Sequence, residues 1–106
     1  MLSVPSAISI RPSSLEALCR RWRIRKLLLF GSALRDDFSD TSDLDLVVDF
    51  LPGAEPSLYD LVSLAGELET LAGRRIDLHT LGGVEGDRNR LRRREILETM
   101  VPVYVA

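Results

Sequence analysis

The sequence predicts a small α/β domain, a mixed sheet with helices packed on it. Three observations carry this. Leu15–Trp22 and Leu58–Ala72 repeat apolar residues at helical spacing. Lys26–Phe30, Asp43–Phe50 and Arg75–Leu81 are apolar runs or alternate with a period of two. Glycine, proline and polar clusters separate these segments, giving the order helix, strand, short turn, strand, helix, strand, helix. The chain has 106 residues, a length suited to one domain. We divide it into an N-terminal arm at 1–12 and a single domain at 13–106.

Each element has its own warrant. Ala7–Ile10 reads as a short extended piece of the arm. Ser13 and Glu16 match a capping box behind Pro12, so a helix is expected from about Ser14 to Arg23. Cys19 lies on its apolar stripe and reads as a small buried hydrophobe, not a nucleophile. Lys26–Phe30 is a buried strand that stops at Gly31. Ala33-Leu34-Arg35 can form one helical turn, and 36–42 reads as a polar loop in which Asp36, Asp37 and Asp40 serve solvation. The second strand begins with Asp43 and Asp45 on one face and Leu44 and Leu46 on the other. Pro56-Ser57 opens a helix whose stripe is Leu58, Leu61, Val62, Ala65, Leu68, Leu71 and Ala72, with Gly73 as its stop. The third strand places Asp77 and His79 on one face, and Gly82-Gly83 break it. Asp87 is the expected cap of a last helix, Arg88 to Met100, which Pro102 ends.

Composition excludes several classes. With 45% hydrophobic and 28% charged residues the chain is not disordered. No apolar run approaches the roughly 18 residues of a membrane span, and the first residues lack a secretory pattern. One cysteine excludes an internal disulfide framework and a multi-cysteine zinc site, so a cytoplasmic location is expected. The net charge of −2 hides an asymmetry. Six aspartates and no basic residue lie between Asp36 and Asp49, and five arginines and no acid between Arg88 and Arg94. Such a pairing suggests bound metal and bound anion more than a nucleic-acid surface, and scattered surface charge is the plain alternative that composition alone favours.

Phe30–Phe50 carries the chemistry. Asp43 and Asp45, two apart on a strand, project from one face, roughly 7 Å apart at the backbone. Crowded carboxylates repel unless a cation sits between them, and hard oxygens that leave room for water and phosphate suit Mg²⁺. If the third strand neighbours the second, Asp77 joins them and completes a two-metal platform for phosphoryl or nucleotidyl transfer. Gly31-Ser32, at the end of an apolar strand, offers backbone N–H groups and a hydroxyl to phosphate oxygens, and Arg35 adds a charge. His79 shares the face of Asp77. It reads as a partly buried structural histidine, or as one that reaches the nucleotide or assists proton transfer.

Gly31-Ser32, ten residues, then Asp43-Leu44-Asp45 resembles the signature of the DNA polymerase β-like nucleotidyltransferase superfamily. The flanking KLLLFGS and SDLDLVV text is similar to its minimal nucleotidyltransferases, the MNT domain proteins, over about Leu15 to Met100. The resemblance implies the polymerase β-like nucleotidyltransferase fold. It implies that Gly31 and Ser32 hold the triphosphate of ATP and that Asp43 and Asp45 bind two Mg²⁺. Asp77 would be the third carboxylate, which binds one metal and helps activate the acceptor hydroxyl. Many of these proteins are antitoxins paired with a HEPN-domain ribonuclease toxin, and those members transfer AMP from ATP to a tyrosine of the toxin. Relatives often have glycine where Asp36 stands, and the VYVA ending is unusual; neither touches a matched position. The expected protein is thus an adenylylating antitoxin, as a homodimer or a hetero-oligomer with its toxin. Two rivals are a module that neutralises its partner by covering it and a transferase acting on a small molecule. The short chain leaves little space for a small-molecule acceptor domain.

Overall fold

A computed structural model describes residues 1–5, 8–36, 38–39 and 41–106. The expectations for Ala7, Asp37 and Asp40 lie outside the described residues. The elements are α1 (Pro12–Arg21), β1 (Ile24–Phe30), a 3₁₀ turn (Gly31–Leu34), β2 (Leu44–Phe50), α2 (Leu58–Ala72), β3 (Ile76–Thr80), α3 (Leu81–Glu85), α4 (Arg90–Thr99) and β4 (Val101–Val105). The sheet order is β3-β2-β1-β4. β1 is antiparallel to both β2 and β4, and β3 runs parallel to β2, so the sheet is mixed as expected.

Burial explains the layers. Leu27 and Leu29 of β1 join Leu44, Leu46 and Val48 of β2 on one face, covered by Leu15, Leu18 and Cys19 of α1 and Leu64, Leu68 and Ala72 of α2. The other face carries Leu28, Phe30 and Val47, covered by Val84 of α3 and Ile96 of α4. The β-strands at the centre are therefore continuous in apolar residues, as strands buried on both faces must be. Cys19 has no exposed surface, and burial pushes its thiol up to about 12, so it stays neutral and inert. Among the described residues no helix is long and apolar enough to cross a membrane.

Several local expectations are corrected. The Ser13/Glu16 capping box does not form. Arg11 is the N-cap and Pro12 takes the first helical position, where its fixed φ fits and its missing N–H costs nothing. Glu16 instead accepts from Arg20 one turn on, at 2.8 Å. The true capping box is at α2, where Ser57 and Asp60 exchange bonds of 2.8 and 3.1 Å. The α2 stripe is shifted: Leu64, Leu68 and Ala72 are buried, whereas Leu58 and Val62 are 78% and 67% exposed. Gly82-Gly83 do not simply end β3 but lie inside α3, whose N-cap Thr80 accepts from the Gly83 N–H at 3.0 Å. Asn89, not Asp87, caps α4. The VYVA ending is not a loose tail. It forms β4 against β1, with Val103 and Tyr104 buried, and Leu2 bridges to Tyr104 on its outer side.

Candidate active site

One row of residues crosses the sheet. Phe30 on β1 pairs with Asp45 on β2, and Asp45 pairs with Asp77 on β3. Neighbouring strands stand roughly 4.8 Å apart, so register alone brings the two carboxylates together on one face. β3 does neighbour β2, the condition on which the sequence argument for Asp77 depended. Asp43 precedes the first residue of β2 and is exposed beside this row.

Gly31 follows Phe30 with φ +68, a left-handed conformation that favours glycine. A Cβ added there would overlap the Asp45 carboxylate, so glycine lets the turn close onto that side chain. The Ser32 backbone N–H then donates to Asp45 Oδ2 at 3.3 Å. The Ser32 hydroxyl lies 3.0 Å from the Asp43 carbonyl oxygen and 3.3 Å from Asp45 Oδ2. It carries one proton, so the two acceptors compete for it. Ser32 thereby ties the start of β2 to the end of β1. Arg35 ends the 3₁₀ turn, its N–H donating to the Ser32 carbonyl at 3.0 Å. Gly31 and Arg35 share a cavity of about 370 Å³ with Leu34, Glu95, Thr99 and Val101.

On the other side of Asp45, His79 Nε2 lies 3.1 Å from Asp77 Oδ2, and its ring meets Phe30 edge-on at 5.4 Å. Asp77, His79, Phe30 and Val84 line a second cavity of about 260 Å³. Asp87 and Arg92 close its rim with a 2.7 Å bond. That bond and the Asn89 N–H hold the Asp87 carboxyl below the usual carboxylate range and raise Arg92.

Two supports escaped the sequence reading. Arg74 donates to the carbonyls of Ser39 and Ser42 at 2.9 and 3.0 Å and stacks on Phe38 at 4.6 Å, pinning the described part of the loop that leads to Asp43. Glu69 accepts from the Ile76 N–H at 3.2 Å at the start of β3. Both contacts link residues distant from the motif, and no local pattern announces them.

The model of the nucleotidyltransferase domain family matches residues 12–103. The chain belongs to the nucleotidyltransferase domain family. It is 36% identical over 78 residues to the protein adenylyltransferase MntA of Thermococcus cleftensis, covering 74% of this chain and 77% of that one. It is 38% identical over 61 residues to a provisionally named protein adenylyltransferase of Methanocaldococcus jannaschii, covering 58% of this chain and 63% of that relative. A solved structure provisionally described as a minimal nucleotidyltransferase is 33% identical, with a TM-score of 0.63 over 85% of this chain and 86% of that one. A toxin–antitoxin crystal structure with AMP-PNP shares the fold at 19% identity, with a TM-score of 0.65 over 89% of this chain and 73% of that one.

Nucleotidyltransferases generally use a nucleotide triphosphate and a divalent metal. Among the described residues no three His, Cys, Asp or Glu side chains converge into a ready cage. Asp45 and Asp77 are nonetheless neighbours across the sheet, and both are reached by solvent. Mg²⁺ is ordinarily held by one or two carboxylates with water and substrate phosphates, not by a closed protein cage. The donor set of this nucleotidyltransferase domain fits such a shared ion.

Proposed function

We propose that the protein transfers AMP from ATP to a tyrosine hydroxyl of a partner HEPN toxin and so acts as its antitoxin. The row Phe30–Asp45–Asp77, with Gly31-Ser32 closed onto Asp45, is the observation that carries the reading. The names of the adenylyltransferase relatives support the part of it that concerns AMP transfer to a protein.

In this reading Gly31 and Ser32 receive the triphosphate on backbone N–H and hydroxyl donors, and Arg35 adds positive charge. Asp43, Asp45 and Asp77 would hold Mg²⁺, two ions in the full site. Bound Mg²⁺ neutralises phosphate charge. The acceptor oxygen forms a bond to the α-phosphorus as the bond to the β-phosphate oxygen breaks. The hydroxyl proton passes to the Asp77 carboxylate, and pyrophosphate leaves. The rest of the protein's contribution is positioning.

The test is mass spectrometry of the partner after incubation with this protein, ATP and Mg²⁺. The expected result is an added mass of one or more AMP units on a tyrosine, and toxin inhibition that persists after the two proteins are separated. Asp45→Asn should lower transfer by at least about a hundredfold. Full recovery of toxin activity on separation, with no added mass, would replace transfer by occlusion.

A further inference from the structure

The two carboxylates of the row are held differently. Asp45 is met by Ser32, inside the glycine–serine turn. Asp77 lies on the edge strand β3, its side chain is 58% exposed, and the side chain that meets it is His79. An exposed carboxylate spreads over several rotamers, and ordering it costs side-chain entropy when ligand arrives. His79 is itself anchored. Its backbone is in register with the fully buried Val47, and its ring lies at 66° to that of Phe30.

We propose that His79 is a positioning residue, which fixes the rotamer of the Asp77 carboxylate through an Nε2–H donor braced on Phe30. The inference rests on the reading of Asp77 as the third carboxylate. A histidine present only for packing would be buried with its nitrogens satisfied inside. This side chain is 41% exposed, and its Nε2 points at a carboxylate in the row. Partners that orient a metal-ligating carboxylate are commonly worth 10–100-fold in metal affinity or activity, and the exposed setting here places the effect near the lower end.

The experiment compares His79→Phe, which keeps a ring against Phe30 and loses the donor, with His79→Gln, which keeps an N–H of similar reach. Two readouts are taken: Mn²⁺ binding in the presence of AMP-PNP, by calorimetry, and the kcat and KM of AMP transfer. His79→Phe should weaken Mn²⁺ binding and lower kcat by about tenfold each. At saturating metal the KM for ATP, set at Gly31-Ser32, and the ligand-free melting temperature should not move. His79→Gln should recover most of both losses. Wild-type values in His79→Phe would overturn the proposal, and so would a His79→Gln as impaired as His79→Phe. If His79→Phe lowers the melting temperature, His79→Leu replaces it: a better His79→Gln supports the proposal and equality overturns it. Asp77→Asn separates the two levels. Full transfer in that variant would sink the reading of Asp77 itself, whereas its loss beside an active His79→Phe would sink the inference about His79 alone.

Discussion

Gly31 shows how one residue sets the site. It adopts a left-handed conformation and leaves no space for a Cβ beside Asp45. Gly31→Ala therefore meets two costs. The left-handed backbone costs an L-residue about 1–2 kcal/mol. The methyl also displaces the Asp45 carboxylate from the Ser32 donors. We expect a melting temperature lower by about 4–8 °C for each kcal/mol lost, together with ATP binding too weak to measure by calorimetry. Unchanged ATP affinity in a folded Gly31→Ala protein would show that the turn does not contact the triphosphate.

Among the elements, α2 gives the sharpest check on how sequence becomes packing. Its helical wheel holds two overlapping apolar stripes. The sheet takes Leu64, Leu68 and Ala72 and leaves Leu58, Tyr59 and Val62 exposed. Leu64→Ala should cost about 2–5 kcal/mol in denaturant unfolding, and Val62→Lys should stay within about 0.5 kcal/mol. The reverse order would mean the expected stripe was right. The same element explains what the sequence could reveal. Period-two alternation at Asp43–Asp45 and at Asp77 is a local signal, and local signals locate every strand but one. β4 was missed because Pro102 reads as a stop. It is tolerated on this edge strand, where the pairing register with β1 shifts. The short helix at Gly82-Gly83 was missed because its support is tertiary. Val84 is buried against the Phe30 face, and that outweighs the weak helix propensity of glycine.

At the scale of the whole molecule, an open acidic row lies beside a closed pair. The pair is Asp87–Arg92, at the rim of the cavity beside Asp77. A carboxyl whose folded pKa is depressed contributes stability above its unfolded pKa, roughly 3.9. That contribution is lost as pH falls through the folded pKa. The melting temperature of the wild type should therefore fall more steeply below about pH 4 than that of Asp87→Asn. Parallel curves would show that the pair is indifferent to folding. Arg92 is 63% exposed, so the difference should be small and should shrink with added salt.

The open row makes the opposite prediction, because it gathers groups from three elements. Gly31-Ser32 opens the turn after β1, Asp45 is on β2 and Asp77 is on β3. A ligand that binds all three must favour the folded chain over the unfolded one, where these groups are scattered. By mass action, ligand at a hundred times its Kd adds about 2.7 kcal/mol. For a domain of this size that is a rise of the order of 10–20 °C in melting temperature. Mg²⁺ alone should give little, since the carboxylates of the row supply only part of its coordination. ATP with a chelator should give little as well, because its phosphates then meet the acidic row without a cation between them. ATP and Mg²⁺ together should give the full shift, and Asp45→Asn should abolish it while its own ligand-free melting temperature stays near that of the wild type. Equal shifts for ATP with metal and ATP with chelator would show that the carboxylates and the nucleotide do not share an ion.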